Sequence, residues 1–537
     1  MHHETNFQAG NGDLKNLPVG LDSFEDFPLL NSIYVDKTEY IFQMLKAGGK
    51  SFFLSRPRRF GKSLLLSTIK AVFEGKKNLF KGLYIEDKID WETYPVIKLD
   101  MTLDAGSVEK FEEDLKALLL GLAANFGFEI PYHTPPAILR EVIRLLVVST
   151  GKKVVVLVDE YDKPILDAID DPKRAEDIRT VLQTFYGVLK ASSSMLKFLI
   201  VSGITKVSQT SIFSGFNNLN DISLDASYAG ICGYSQAELE YFFSGHIENL
   251  ARNKTKSKAA VLADIKHWYN GYSWDGNAFV YNPYSVLLLF EKGLFNPFWY
   301  NTGTPTFLLK LLNTGNNLNT VLKDAISVPN TFIEGQTIDK LNSIGLLFQS
   351  GYLTIKSFDE EESSYELQIP NEEVRKAISE LILMDIYRDN VSNLHELSKN
   401  IRVAFSEGNT TAAVESLDIL LANTTHNTHD SNKNESHYQA LFQLAMILSN
   451  INHIGESTHG NGRTDAVLLF DKHIYVVEIK FTSEKEGLEA ALASGMKQIN
   501  EKLYYKPYLN QGKTVHKLAL AFTKGKVVYK EEEVIQS

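Results

Sequence analysis

The stretch Phe52-Phe-Leu-Ser-Arg-Pro-Arg-Arg-Phe-Gly-Lys-Ser-Leu64 joins an apolar run to a basic turn, and the turn opens onto the helical pattern Leu64 to Phe73. A strand, a loop ending in Gly-Lys-Ser and a helix direct backbone N–H groups and a helix N-terminus at one point, which suits a phosphate. In a loop of this kind Lys62 contacts the β- and γ-phosphates of ATP and Ser63 ligates Mg2+, while Arg58, Arg59 and Gly61 complete the cradle. Arg56 stands where the usual pattern has its first glycine. Alone, the stretch also reads as an ordinary strand-to-helix turn with a basic cap.

A second stretch weighs against the plainer reading. Val154 to Val158 is a β-branched run that ends in Asp159 and Glu160. A P-loop fold places there the aspartate on the magnesium side and a carboxylate that polarises the attacking water. The two stretches occur in the right order and on the right elements for an ATP site using Mg2+. Thr205, just past the run Phe198 to Ser202, takes the position of a polar γ-phosphate sensor.

Outward from these stretches, Phe52 to Ser55, Val96 to Asp100, Val154 to Val158 and Phe198 to Ser202 are short apolar runs separated by segments long enough for helices. Buried parallel strands of an α/β sheet have this pattern. Glu109 to Phe126 carries apolar residues at helical spacing and predicts a covering helix. These features predict a P-loop-type core over residues 15–232. Beyond it the pattern becomes helix after helix, with Gln236 to Phe243 and Ser257 to Trp268 as clear cases, which predicts a mostly helical lid or connecting domain over 233–422. Asn423 to Asn434 is so rich in Asn, Thr, His and Asp that it predicts a linker. His426 and His429 read there as solvated linker histidines, because further metal ligands are missing. The His2 and His3 pair reads as start-site sequence or a tag remnant.

Residues 435–537 restart the pattern as a small α/β unit: a helix Glu435 to Ser449, strands Thr464 to Phe470 and Ile474 to Phe481, a helix Leu488 to Tyr505, and a closing strand Lys517 to Phe522. On a strand, Glu478 and Lys480 point to one face. Asp465 begins the preceding strand and can meet them. Acidic oxygens that hold Mg2+, beside a cation that orients water or stabilises developing charge, are what phosphodiester cleavage requires. Glu435 is a further metal-side carboxylate, and Gln498 and Tyr505 are candidates to line the same cleft. A bare Glu-x-Lys more often decorates a sheet edge. Here the apolar Val476, Val477, Ile479 and Phe481 place the pair on a strand that reads as buried.

Composition narrows the classes. The chain has 537 residues, of which 44% are hydrophobic and 23% charged, as in ordinary globular proteins, and its length predicts two or three domains. The one cysteine, Cys232, excludes an intrachain disulfide framework and fits a reducing, cytoplasmic setting. No apolar run reaches the ~18 to 20 residues of a membrane helix, and no signal-peptide core is present. The net charge of −11 argues against a broadly basic surface, but Glu435 to Ser537 carries 12 Lys and Arg against 12 Asp and Glu, so the C-terminal part repels a polyanion least. Expected partners are DNA or RNA as substrate, no membrane, and a possible homo-oligomer.

These motifs resemble a family of bacterial predicted AAA-ATPase-like proteins that end in a PD-(D/E)XK nuclease-superfamily domain. The resemblance rests on Leu17-Pro-Val-Gly-Leu-Asp-Ser-Phe, Tyr34-Val-Asp-Lys-Thr-Glu, Phe53-Leu-Ser-Arg-Pro-Arg-Arg-Phe-Gly-Lys-Ser-Leu, Val158-Asp-Glu-Tyr-Asp-Lys-Pro and Ile212-Phe-Ser-Gly-Phe-Asn-Asn-Leu. Trp268-Tyr-Asn-Gly-Tyr, Tyr281-Asn-Pro-Tyr-Ser, Gly462-Arg-Thr-Asp and Val477-Glu-Ile-Lys extend it over nearly the whole chain. It implies that Arg56 in place of glycine is normal for the group. It also implies that Lys62, Ser63, Asp159, Asp465, Glu478 and Lys480 hold the motif positions. The function expected is ATP binding and hydrolysis coupled to metal-dependent cleavage of DNA or RNA. The alternative is a nucleotide-dependent switch or scaffold whose C-terminal domain binds nucleic acid or protein without cutting.

Overall fold

Five strands carry the N-terminal half: β1 (Ser51–Ser55), β2 (Val96–Asp100), β3 (Val154–Asp159), β4 (Leu196–Gly203) and the short β5 (Asn220–Asp221), in the sheet order β2-β3-β4-β1-β5. The computed structural model describes residues 14–206, 212–213, 219–299, 325–333, 343–387, 391–427, 435–451, 453–459, 462–483, 487–509, 511–523 and 526–534. His2, His3, His429 and residues 214–218 of the Ile212 motif lie outside these. The pairings of β1, β2, β3 and β4 with one another, and of β1 with β5, are all parallel. Every residue of β1 and β3 is buried, as expected for strands covered on both faces.

Two helices lie behind this sheet for clear reasons. Val108–Asn125 is capped by Ser107, whose side chain accepts the Lys110 N–H, and it buries Phe111, Leu115, Leu119 and Ala123 at spacings of four. Pro135–Thr150 starts on prolines and stops at Gly151, which has φ 68°. Because β4 lies between β1 and β3, the chain reverses direction across the sheet beside β1. Ligands in open parallel sheets bind at such a reversal, outside the C-terminal strand ends.

The described residues form two compact units, one within Met1–Gly303 and Ser327–Glu373, the other within Thr304–Ile326 and Val374–Ser537. This division differs from the expected one. Residues 233–299 and 327–373 belong with the parallel sheet, whereas the helices Val391–Ser406 and Thr410–Asn427 belong with the C-terminal strands. The first unit also contains a three-stranded sheet, β6 (Ile326–Pro329), β7 (Thr354–Asp359) and β8 (Ser364–Gln368), in a region expected to be helical. The helix Thr410–Asn427 takes in the first five residues of the expected linker, including His426.

In the second unit a mixed sheet of β9 (His453–His459), β10 (Gly462–Leu469), β11 (His473–Phe481), β12 (Thr514–Thr523) and β13 (Lys526–Glu533) has the order β13-β12-β11-β10-β9. Only β11 and β12 run parallel; the other pairings are antiparallel. The helix Leu488–Lys502 connects these parallel strands, and its Ile499 packs with Val467, Ile474, Val476 and Val515. On the opposite face Tyr438, from the helix Glu435–Leu448, stacks on Phe481 and packs against Phe522. The expected closing strand is therefore not the last, since β13 pairs beyond it. Among the described residues no helix is long and apolar enough to cross a membrane.

Candidate functional sites

At the C-terminal end of β1 the chain turns through Arg56 to Gly61 into the helix Lys62–Phe73. Gly61 precedes the helix at φ 93°, a conformation in which a side chain is strained, so the glycine of Gly-Lys-Ser is a backbone requirement. Arg59 takes φ 68° despite its side chain, and its guanidinium lies 4.8 Å from the centre of the Tyr284 ring. Lys62 Nζ donates to the carbonyls of Arg56 at 3.0 Å and Pro57 at 3.2 Å, and stands 3.6 Å from Glu160 Oε1. The lysine is thus buried but fully satisfied.

Across the sheet, Asp159 Oδ1 accepts from Ser202 Oγ on β4 at 2.6 Å and from the Glu160 N–H at 3.1 Å. Glu160 has φ 54°, so the chain bends sharply where a carboxylate faces the lysine. A cavity of about 450 Å³ is lined by Arg58, Arg59, Gly61, Lys62, Ser63, Asp159 and Glu160 together. Seven of the eight residues expected at this site therefore meet. Thr205 stands apart: it is fully buried, and its N–H and hydroxyl donate to Asp162 at 2.6 and 2.7 Å. Burial, and then the charge of Glu160, raise Asp162 to about 6.

Sequence reasoning missed two contributors to this site. Asp100 and Thr102 line the same cavity, because β2 and β3 end in register with Asp100 opposite Asp159. Arg56 points away from it. Its guanidinium donates to the carbonyls of Ser55, Ser223 and Tyr228 and lies 4.0 Å from the centre of the Trp274 ring. Burial lowers Arg56 to about 10, which leaves it protonated at neutral pH. The residue in the glycine position is a buried clamp on the loop, and an Arg at a strand end gives no sequence signal that separates clamping from phosphate contact.

The second site lies on β10 and β11. Ala466 pairs with Val477, which sets Asp465 beside Glu478 on the neighbouring strand. Asp465 Oδ2 accepts the Ile479 N–H at 2.7 Å, and Oδ1 accepts from Gln439 Nε2 at 2.8 Å. Lys480 Nζ donates to Glu478 Oε1 at 3.0 Å and to Glu435 Oε1 at 3.4 Å. Glu478 is 1% exposed, and its Oε2 is buried without a hydrogen-bond partner. Burial, and then the charge of Asp465, raise Glu478 to about 8. Burial likewise raises Asp465, against the Ile479 N–H that lowers it. Burial pulls Lys480 down, but Glu478, Glu435 and Asp465 outweigh it and the net shift is upward.

Asp465, Glu478, Lys480 and Glu435 are thus brought together. Gly495 places the next helix over them, since a Cβ there would lie 3.6 Å from Lys480 Cγ and 3.7 Å from Glu478 Cγ. Gln498 is one turn further along that helix. Tyr505 packs against the apolar cluster that includes Ile474, Val476 and Val515, and the Lys517 ammonium lies 5.6 Å from its ring centre. Its expected helix ends at Lys502, where Leu503 turns to φ 56°. Gln439 was missed, although it lies four residues after Glu435 and so on the same helix face. Among the described residues no three His, Cys, Asp or Glu side chains form a group that could hold a metal ion.

A parallel sheet whose strand-to-helix turn gathers a buried lysine with an aspartate and a glutamate, joined to a mixed sheet bearing Asp, Glu and Lys, defines an ATPase-like unit followed by a nuclease-like one. The profile described as "Predicted AAA-ATPase" matches residues 18–213, and the PD-(D/E)XK nuclease superfamily profile matches residues 433–532. A protein of Azotobacter chroococcum mcd 1, named "Uncharacterized protein in vnfD 5'region", is 32% identical over 522 residues, spanning 95% of this chain and 97% of its own length. The chain belongs to this family of predicted AAA-ATPase-like proteins with a C-terminal PD-(D/E)XK nuclease-superfamily domain.

Proposed function

We propose that the chain is a cytoplasmic enzyme that binds and hydrolyses ATP and cleaves DNA or RNA phosphodiesters with Mg2+, the nucleotide state controlling the cleavage. The observation that carries the nuclease half is the orphaned, buried Glu478 Oε2 beside Asp465. A buried carboxylate oxygen without a partner is costly, and a divalent cation is the ligand that relieves it. Asp465 retains lone pairs after accepting two hydrogen bonds, so the pair fits such an ion.

When bound, the ion supplies Lewis-acid polarisation of the phosphate and a more acidic water. The protein groups do the rest. The Ile479 N–H and Gln439 hold the Asp465 carboxylate in one orientation. Lys480, tied to Glu478 and Glu435, offers a positive charge beside the phosphate as negative charge develops on it.

At the other site, Lys62 would leave the Arg56 and Pro57 carbonyls for the phosphates, and Ser63 and Asp159 would hold Mg2+. Glu160, opposite Lys62, would orient the attacking water. Purified protein incubated with Mg2+ and single- or double-stranded DNA and RNA, with and without ATP, tests the proposal. Mg2+-dependent cleavage that changes with ATP supports it. ATP hydrolysis without any cleavage leaves the switch or scaffold function in its place.

A further inference from the structure

The phosphate loop is tied to one more element than its chemistry requires. Trp299 Nε1 donates to the Arg58 carbonyl at 3.2 Å, within the loop itself. The backbone N–H of the same tryptophan donates to Glu373 Oε1 at 2.8 Å, and Ser285 Oγ donates to that oxygen at 2.8 Å. Glu373 is fully buried, and its Oε2 has no hydrogen-bond partner. Ser285 lies in the first turn of the helix Pro283–Lys292, whose Pro283, Tyr284 and Leu287 line the nucleotide cavity.

Glu373 also opens the helix Glu372–Tyr387, within which the chain passes from the first compact unit to the second. The start of this helix is fixed to the first unit. Asn371 Nδ2 donates to the Asn270 carbonyl at 2.9 Å, and a Cβ at Gly271 would lie 2.0 Å from the Pro370 carbonyl oxygen. Only glycine allows that approach, so Trp268-Tyr-Asn-Gly-Tyr serves as a seat for residues 370–373.

We infer that Trp299 and Glu373 are positioning residues of the phosphate loop, and that through them nucleotide at the loop alters the first turns of the helix Glu372–Tyr387. The inference rests on the nucleotide-binding function proposed above and adds its route of regulation. Each connection is a directional bond, part-buried at the Arg58 carbonyl and buried at Glu373. If the Arg58 carbonyl shifts when phosphates enter, the indole must follow or lose its partner, and the Trp299 backbone carries the shift to Glu373. The Trp299 N–H and Ser285 share one oxygen of Glu373, so a shift of the tryptophan backbone is passed directly to this carboxyl at the start of the helix.

The test uses full-length protein, calorimetry with the non-hydrolysable analogue adenylyl imidodiphosphate and Mg2+, and amide hydrogen exchange over residues 372–387. In the wild type the analogue is expected to bind and to slow exchange in the first turns of that helix. Trp299→Phe keeps the ring and the backbone N–H but removes the indole donor. It is expected to weaken binding about fivefold, the worth of one neutral hydrogen bond, and to abolish the exchange difference while nucleotide-free exchange and melting temperature stay near wild type. Ser285→Ala examines the Glu373 end, should the tryptophan variant not fold, and is expected to shrink the same difference. A wild-type protein that binds the analogue without any change at 372–387, or an unchanged difference in a folded variant, overturns the link. No binding by the wild type overturns the nucleotide function itself, and the link with it.

Discussion

The two candidate sites solve opposite problems around one lysine each. At the phosphate loop, Lys62 is held by two neutral carbonyls and one carboxylate, in a cavity that also exposes Lys37, Arg58, Arg59 and Lys163. The cavity thus gathers cations with Asp100, Asp159 and Glu160, a combination that the proposed binding of a polyanion with Mg2+ would use. At the C-terminal cluster, Lys480 faces Glu478, Glu435 and Asp465. With all of them ionised the cluster has a net charge of −2, which the divalent cation of the proposed function would offset. The first site depends on backbone conformation at Arg59, Gly61 and Glu160, and the second on burial of side chains that project from paired strands.

The largest expected effect separates these two lysines. Lys480→Ala should lower cleavage about a hundredfold to a thousandfold, the usual consequence of deleting a group that stabilises developing charge. Cleavage assays under saturating Mg2+ check this, and a loss below tenfold would reduce Lys480 to a structural partner of Glu478.

Next in size, Lys62→Ala should weaken ATP binding by about tenfold to a hundredfold, since hydrogen bonds to charged groups are worth ~1.5 to 3 kcal/mol. Because Lys62 is buried and satisfies two carbonyls, this variant should also melt earlier. Calorimetry and thermal melts measure the two effects separately.

A third prediction concerns pH. Burial raises Glu373 to about 8, and backbone and Ser285 hydrogen bonds only partly offset it. A carboxyl whose pKa is higher folded than unfolded binds more protons in the folded state. Stability is therefore expected to fall as pH rises from about 4.5 to about 8, and to level off above that. Glu373→Gln cannot ionise, so its stability relative to wild type should grow by more than ~1.4 kcal/mol between pH 5 and pH 8. Denaturant melts at both pH values check the sign, and a variant that loses ground at pH 8 would show that Glu373 is ionised in the fold. Smallest, Gln439→Ala removes one of the two bonds that orient Asp465, and should reduce cleavage about fivefold while leaving ATP binding unchanged.

Much of this was readable in the sequence, because strong local signals coincide with the tertiary outcome. Val96 to Asp100 and Val154 to Val158 are too apolar to lie outside a sheet, and Gly-Lys-Ser after a strand constrains its own backbone. The edge strands β9 and β13 escaped because the sequences His453–His459 and Lys526–Glu533 carry few apolar residues; on β13, charged residues protect an open edge. Helical spacing also concealed the sheet β6–β8, whose strands are short and largely exposed on β7. Carboxylate and lysine spacing revealed Asp465, Glu478 and Lys480. Gln439, which orients Asp465, and Trp299, which joins the Arg58 carbonyl to Glu373, act through hydrogen bonds that only folding brings about.

Separability of the two sites is tested most directly by measuring ATP hydrolysis and nucleic-acid cleavage in one preparation of wild type, Lys62→Ala and Lys480→Ala with Mg2+. Coupling between distant sites is typically ~1 to 3 kcal/mol, less than the loss of a catalytic group. Lys480→Ala should therefore lose cleavage by about a hundredfold to a thousandfold yet hydrolyse ATP within a few fold of wild type, and Lys62→Ala should lose hydrolysis and change cleavage only through regulation. Loss of both activities in both variants, with each protein folded, would contradict two separate sites and indicate a single catalytic centre.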